Sequence, residues 1–236
     1  MDVGPQALDL RYQPGDAQAP LAAFDGTVTS VGFYGSTAAF SGFHGSQTSL
    51  SAAGGVVSLS GFDVSVGGNV HVRPLGERGS LYVPIRLQTG GRYLVSDGAD
   101  VGPDDDMAVL LGSADVGAGV GAVMDTPLRQ GRFAESLHTF GTLVLGAGFS
   151  GDYAMSFPNE TPDAGAYGMR TATLMVQTEA RQLFGSGLGA SLGYTFRAAQ
   201  LDAEAIDGAS GVFNAFTGSN FRSAETSHLI RVGLIF

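Results

Sequence analysis

Strict alternation of bulky apolar residues with small or polar ones is the feature that most constrains how this chain can fold. The last eleven residues show it clearly, because one face of an extended strand would there carry Ile230, Val232, Leu234 and Phe236. The opposite face would carry Arg231 and Gly233 between Leu229 and Ile235. The pattern predicts a β-strand with one apolar face and one mixed face.

The same alternation recurs upstream and predicts seven further strands, at residues 27–43, 62–73, 81–95, 113–124, 142–153, 171–181 and 188–199. Pro84 falls inside one of them, and we expect a bulge there because proline cannot donate to a strand ladder. The first 25 residues contain three prolines among spaced aspartates. They are predicted to form an irregular N-terminal lead segment, followed by one domain over residues 26–236.

Composition restricts the surroundings of these strands. Only 14% of the residues are charged, compared with about 25% in an ordinary soluble domain. No segment approaches the roughly 18 to 20 apolar residues of a membrane helix. The predicted strands, at about 12 to 17 residues, exceed the 9 to 11 that cross a bilayer. The net charge of −10 argues against a nucleic-acid partner, and the absence of cysteine excludes a thiolate nucleophile.

The predicted connections differ in length on the two sides of the sheet. Those after residues 73 and 181 are tight, whereas the others are mostly longer and rich in acidic or small polar residues. Short turns on one side and long loops on the other are typical of outer-membrane barrels. A sheet can cross lipid only if it closes on itself, because every backbone donor needs a partner there. The sequence therefore predicts an all-β fold, a transmembrane antiparallel up-and-down β-barrel of about eight strands, with the lead segment on the periplasmic side.

On these features the chain resembles the small eight-stranded bacterial outer-membrane proteins of the OmpA transmembrane-domain, OmpX and OmpW type. The resemblance covers roughly residues 27–236 and rests on the terminal Phe236, the alternation before it, the strand count and the loop asymmetry. It implies a mature protein of the Gram-negative outer membrane, without its signal peptide and in contact with outer-membrane lipid. It also implies that the outer-membrane assembly machinery recognises Ile230, Val232, Leu234 and Phe236. The chain departs from this group in having no tryptophan and few aromatic residues for interfacial girdles.

Charged residues at the inward positions form the main candidate site. They are Asp63, Arg73, Arg86, Arg92, Asp115, Asp152, Glu179, Arg181, Arg197 and Arg231. Unpaired charges in a narrow lumen would be very costly, so we expect an ion network. Strand order predicts the pairs Asp63 with Arg92, Asp115 with Arg86, and Glu179 with Arg181 or Arg231. Two interpretations stay open: a polar plug that fills the barrel, or a gate in a narrow path for ions or small solutes.

Two other groups suggest different chemistry. The acidic loop could bind calcium through Asp97, Asp100, Asp104, Asp105 and Asp106, because hard cations favour clustered carboxylates. It lacks the spacing of an EF-hand, and a solvated acidic loop is the simpler interpretation. His44, near Ser41 and Ser46, could belong to a lipid-modifying hydrolase, but no acidic residue nearby in sequence would orient it.

The sequence thus predicts a non-enzymatic integral outer-membrane protein without a cofactor. Its charged, mostly filled lumen would make it a structural envelope protein or a porin-like narrow channel. Its partners would be outer-membrane lipid and the assembly machinery. The sequence is also compatible with a homo-oligomer or with a partner in the envelope. The alternatives are a surface-exposed all-β adhesin or self-assembling subunit, and a lipid-modifying barrel enzyme.

Overall fold

A computed structural model describes residues 1–12, 22–48, 56–97, 107–128, 133–156, 163–185, 187–205 and 221–235. These residues form ten strands and one short 3-10 turn, Leu183–Gly185. In chain order the strands are β1 (Asp2–Tyr12), β2 (Ala22–Tyr34), β3 (Ala38–Thr48), β4 (Val56–Pro74), β5 (Gly79–Asp97), β6 (Met107–Pro127), β7 (Ser136–Ser156), β8 (Asp163–Arg181), β9 (Gly189–Ala205) and β10 (Phe221–Ile235). Within the described residues, no helix is both long and apolar enough to cross a membrane.

Every strand pairs antiparallel with its neighbours in the chain, and β1 pairs with β10, so the sheet closes into a barrel. The predicted all-β, antiparallel, up-and-down barrel is therefore confirmed. The predicted count of about eight strands is wrong, because the described residues form ten. Two regions near the N-terminus account for the difference.

The first region is the single strand predicted over residues 27–43, which is a hairpin. Strands β2 and β3 pair from Thr29 with His44 to Tyr34 with Ala39, and a three-residue turn joins them. In this turn the Gly35 N–H donates to the Ala38 carbonyl at 2.8 Å. The sequence Gly-Ser-Thr contains no proline or asparagine to mark the turn, and aromatic residues continue on both sides of it.

The second region is the predicted irregular lead segment, in which Asp2–Tyr12 forms strand β1. This strand pairs with β2 along its whole length and closes the barrel against β10. The β1–β10 ladder is interrupted at Gly4 and Pro5, so the proline lies where a missing donor costs little. Residues 13–21 lie outside the described part of the chain.

Pro84 does not produce the expected bulge. The β5–β6 ladder omits Val83 and Pro84, but Tyr82 pairs with Gly121 and Ile85 with Ala118 in the same register. The ladder therefore loses pairing locally without gaining a residue. A register shift lies instead in the ladder between β4 and β5, between His71 and Arg73 of β4.

The barrel has two different ends, here named the turn end and the loop end. Turns of three and four residues join β2 to β3 and β4 to β5 at the turn end, where β1 begins and β10 finishes. The loop end holds the longest connection, the fifteen residues between Ala205 and Phe221. The turn end also holds connections of eight residues after β6 and seven after β8, whereas the connection after β7 at the loop end has six. The predicted opposition of short and long connections therefore holds only in part.

The wall of the barrel is apolar outside and mixed inside, as the alternation predicts. Ile230, Val232 and Leu234 are each more than half exposed on the outer face, whereas Leu229 and Arg231 are buried inside. Phe236 lies outside the described residues. The ten strands therefore aim their polar side chains into the lumen, where the candidate site lies.

Candidate functional site: the barrel lumen

Apolar side chains close the lumen at the loop end. They come from inward positions near the loop end of their strands and pack as one cluster, here named the apolar plug: Leu8, Leu10, Phe24, Val28, Phe43, Leu59, Leu94, Val109, Leu111, Met169, Ala199, Leu201 and Ala224. Phe24 and Leu59 have no exposed surface. Close packing of this kind leaves little room for water or ions.

Next to the apolar plug lies a group of four charged side chains, here named the ion cluster: Asp63, Arg92, Arg197 and Glu225. Arg92 donates to both oxygens of Glu225, at 3.1 and 2.9 Å, and to Asp63 Oδ1 at 2.9 Å. Arg197 donates to Glu225 Oε1 at 3.0 Å and lies 3.6 Å from Asp63 Oδ1. The two-pronged contact of Arg92 with Glu225 is the strong, directional form of an ion pair.

The ion cluster is attached to the apolar plug through Phe43. The Arg92 guanidinium lies 4.8 Å from the centre of the Phe43 ring, a distance at which a cation is attracted to an aromatic face. Arg92 and Glu225 are both buried, so each charge depends on its partners rather than on water.

Beyond the ion cluster, towards the turn end, the lumen contains a cavity of about 100 Å³. Its polar lining is mostly uncharged, and includes Gln6, Gln88, Thr142, Thr173, Thr195 and Ser227, with Arg86 and Arg197 among its charged groups. Since a water molecule occupies about 30 Å³ in the liquid, the space suits about three of them.

Arg231 lies in the lumen on the turn-end side of this cavity. Its guanidinium lies 4.0 Å from the centre of the Tyr34 ring and donates to Gln177 Oε1 at 2.9 Å and to the Thr195 hydroxyl. Gly193 lies against the guanidinium, because a Cβ added to this glycine would be 2.7 Å from it. The Arg231 side chain is therefore held in place by a ring, by the backbone and by hydrogen bonds.

Arg86 stabilises the turn end in a different way, by donating to backbone carbonyls. Its guanidinium donates to the Gly68 and Ile85 carbonyls at 2.7 and 2.9 Å, to the Ser36 carbonyl in the β2–β3 turn, and to Asn69 Oδ1 at 2.6 Å. The predicted pair of Arg86 with Asp115 is therefore wrong. Asp115 is buried beside the hydroxyl of Thr171.

The remaining predicted residues are divided between the lumen and its edge. Glu179 pairs with Arg181 at 2.9 Å near the turn end. It reaches Arg231 only through Gln177, whose amide donates to Glu179 Oε1 at 3.1 Å. Asp152 is buried. Arg73 is exposed beyond the register shift of β4, so it does not join the lumen network.

Two residues of the site were missed by the sequence reasoning. Glu225 lies two positions before Ser227 on the inward face of β10, so extending the terminal alternation by one step would have found it. Asp2 accepts a hydrogen bond from the Ser191 hydroxyl at 2.8 Å and lies 3.7 Å from Arg231 Nε. It was overlooked because the prolines near the N-terminus suggested an irregular segment.

The other candidate groups lie outside the lumen or outside the described residues. His44 is exposed on the outer wall, where its Nδ1 hydrogen-bonds to Ser60 Oγ at 2.8 Å. Ser41 faces inward and is buried, so it cannot act with His44. In the acidic loop, Asp97 ends β5, its side chain is not described, and the other four aspartates lie outside the described residues. Among the described residues, no cluster of three or more acidic, histidine or cysteine side chains is arranged to hold a metal ion.

No protein-family model matches the chain, and no curated protein matches it by sequence. What the chain does is therefore inferred from the geometry of the barrel.

Proposed function

We propose that this chain is an integral outer-membrane β-barrel protein that serves a structural role in the bacterial envelope. One contrast carries the proposal: Ile230 is 56% exposed, while Arg231 beside it is 1% exposed. A soluble domain arranges these residue types the opposite way, because burying a charge in place of an apolar group is costly. An outer surface in lipid favours this arrangement.

The contrast is repeated around the barrel. Val72, Val120, Leu145 and Leu192 are each more than half exposed on other strands. Large apolar side chains exposed on several strands are typical of contact with a membrane or a partner. A closed antiparallel sheet also meets the requirement of lipid, since no strand edge is left to be hydrated.

Heat-modifiable gel migration tests the membrane proposal. A folded outer-membrane barrel is expected to need detergent for solubility and to migrate differently before and after boiling in dodecyl sulfate. The measurement is electrophoresis of the detergent-purified chain with and without heating. A chain that stays monomeric in buffer without detergent and migrates identically in both lanes would contradict the proposal.

The lumen supports a filled barrel rather than an open pore. The apolar plug, the ion cluster and Arg231 lie in series, so a solute would have to displace all three. We expect almost no ion current through the wild-type chain in planar bilayers. Arg231→Ala alone should add little current, because the apolar plug remains. Arg231→Ala combined with Phe24→Ala should conduct more than either single variant.

Leu145→Ala, on the outer face, is the matched control and should leave the current at the wild-type level. Steady ion current through the wild-type chain at neutral pH would favour a narrow channel for ions or small solutes over a structural protein. Current in Arg231→Ala equal to that of the double variant would show that the apolar plug does not seal the lumen.

The terminal strand supports a second part of the proposal, recognition by the outer-membrane assembly machinery. Ile230, Val232 and Leu234 alternate on its outer face, in step with Phe236 two residues later in the sequence. Deleting Phe236 should lower the fraction of chains inserted in outer membranes without changing refolding of the purified chain in detergent. Equal insertion of both chains would contradict this part.

A lipid-modifying activity is the second candidate function, favoured by the His44–Ser60 contact on the outer wall. A histidine that hydrogen-bonds to a serine is the core of a nucleophilic pair. If the pair acts on lipid, His44→Ala should abolish modification of outer-membrane lipid while heat-modifiable migration is retained. Unchanged lipid composition with and without the wild-type chain would remove this candidate.

A further inference from the structure

The outer wall of β1 to β4 changes from apolar to polar partway along the strands. Near the turn end, its exposed side chains include Val3, Val31, Phe33, Phe40, Phe62 and Val66. Towards the loop end, its exposed side chains include Arg11, Asp25, Thr27, Thr29, His44 and Ser46. One row of the sheet marks the change, because Thr29 pairs with His44 and His44 pairs with Ser60.

The inner wall of the same strands changes in the opposite direction at the same place. On the turn-end side, buried polar residues face the lumen, namely Gln6, Ser30 and Ser41. The next inward residues towards the loop end belong to the apolar plug, namely Leu8, Val28 and Phe43. The loop-end part of these strands is therefore apolar inside and polar outside, as in a soluble barrel.

Strands β6 and β7 lie opposite β1 and β2 in the ring of ten strands, and their outer wall stays apolar almost to the loop end. Leu110 is 51% exposed and Tyr153 is 40% exposed. Each is the fourth residue from the loop end of its strand. Tyr93 is exposed beside them on β5, while Ser150 and Asp152 are buried on the inner face of β7. The arrangement with apolar residues outside therefore extends further on this side of the barrel.

Position along the barrel separates the two sides further. A row of paired residues that starts at Asp2, at the turn end of β1, reaches Tyr167, five residues from the loop end of β8. Rows therefore climb towards the loop end from β1 to β8, as expected for tilted strands. Thr29 and Leu110 belong to one such row, so Leu110 lies nearer to the loop end. An upright barrel would immerse Thr29 more deeply than Leu110, which is the reverse of what their polarity suits.

We propose that the barrel lies obliquely in the membrane. Lipid covers β5 to β7 almost to the loop end, and the loop-end part of β1 to β3 stands in water. This inference rests on the proposed outer-membrane location. Lipid is the occupant of the β5–β7 face because that face continues the apolar wall below it, where Val116 and Leu145 are more than half exposed. Tyr93 and Tyr153 suit its upper limit, since tyrosine is enriched where a membrane meets water.

The charges of the outer wall favour the same orientation. Asp25 on β2 and the pair of Asp9 with Arg11 on β1 lie on the outer face towards the loop end. Charged side chains on a lipid-facing wall destabilise a membrane barrel. Tilting the barrel away from this side keeps all three charges in water while Leu110 remains in lipid.

Fluorescence quenching at single cysteines tests the orientation, because the chain has no cysteine of its own. Leu110→Cys, Thr27→Cys and Val232→Cys are each labelled with bimane and refolded into phosphatidylcholine vesicles. Nitroxide-labelled acyl chains quench a label in lipid, and iodide on both sides of the membrane quenches a label in water. The ratio of lipid quenching to iodide quenching should be similar for Leu110→Cys and Val232→Cys. Both ratios should exceed that of Thr27→Cys several-fold.

Val232→Cys separates this inference from the proposed location. Weak lipid quenching at Val232 would show that the chain is outside the membrane and would remove both. With Val232 in lipid, equal ratios at Leu110 and Thr27 would overturn the oblique orientation alone. A label at Leu110 that neither quencher reaches would also overturn it, and would assign the β5–β7 face to a second copy or another protein. Ser46→Cys on β3 repeats the measurement of the polar side if Thr27→Cys does not refold.

Discussion

The two ends of the lumen are occupied by different kinds of side chain. At the loop end the apolar plug fills the barrel with side chains whose attraction has no direction. At the turn end Arg86 and Arg231 are held by hydrogen bonds to carbonyls, an amide and a hydroxyl, and by a stacked ring. The comparison teaches that one narrow barrel can combine close apolar packing with a directional polar network that leaves a cavity.

The two arrangements should fail in different ways. Truncating an apolar side chain leaves a cavity, with a cost that depends on how far the surroundings relax. Removing one member of a polar network leaves its partners buried and unsatisfied, which costs more per atom removed. The ion cluster lies between the two ends and combines apolar and polar contacts, since Arg92 contacts the Phe43 ring of the apolar plug as well as the Glu225 carboxylate.

The largest effect is expected for Glu225→Ala. This change leaves Arg92 and Arg197 buried with Asp63 as the remaining carboxylate of the ion cluster. Removing one partner of a buried ion pair costs about 3–5 kcal/mol. The measurement is the free energy of unfolding in urea, with the barrel folded in lipid vesicles. A loss below about 1 kcal/mol, the value of an exposed pair, would show that the cluster is hydrated.

Leu59→Ala tests the apolar plug itself. Leu59 has no exposed surface, so the change should cost about 3 kcal/mol, within the range for cavity-forming leucine truncations. The same urea unfolding experiment measures it, and Leu145→Ala on the outer wall is the matched leucine control. If both variants lose the same free energy of unfolding, packing of Leu59 in the apolar plug stabilises the barrel no more than contact of Leu145 with the surroundings of the outer wall.

A smaller effect is expected at the turn end for Gly193→Ala. The new Cβ would meet the Arg231 guanidinium, which cannot move away freely because Tyr34 and its hydrogen bonds hold it. Overpacking of this kind costs about 1–3 kcal/mol. Gly112→Ala, where nothing lies within 4 Å, should be neutral under the same urea titration. Equal stability of both variants would mean that Arg231 can adjust, and that the turn end is less rigid than its contacts imply.

The smallest effect is expected outside both ends, for Arg11→Ala. Arg11 pairs with Asp9 at 3.0 Å, and both side chains are exposed. Exposed ion pairs contribute about 0–1 kcal/mol and weaken with salt. Unfolding at low and high salt should therefore differ little between this variant and the wild-type chain. A loss as large as that of Glu225→Ala would remove the distinction between lumen and surface charges.

Much of the wall could be predicted from the sequence because alternation reports directly on the face of a strand. The outward residues Val116, Leu145 and Ile230 are all exposed as expected. The two N-terminal strands could not be predicted so easily. In β1 the proline is tolerated by an interrupted ladder, and between β2 and β3 the turn has no strong marker. Both features depend on the neighbouring strand rather than on local propensity.

The predicted pairs of charged residues in the candidate site also divide into those that are present and those that are not. Asp63 and Arg92 lie on adjacent strands, and the expected contact is present at 2.9 Å. The sequence pairs Arg86 with Asp115, but the Arg86 guanidinium donates instead to carbonyls of the β2–β3 turn and of β4 and β5. Backbone acceptors of this kind leave no mark in a pattern of side chains. The exposure of Arg73 depends on the register shift of β4, which alternation does not show.

The sequence by itself determined the inner and outer faces of most strands, because a period of two leaves each residue only two faces. Only the tertiary structure decided which lumen charges meet. Arg92 and Glu225 are 133 residues apart in the chain and come together because closure of β1 on β10 curves β5 and β10 around one narrow space. Contacts across a lumen depend on register and closure, which belong to the whole barrel rather than to any strand.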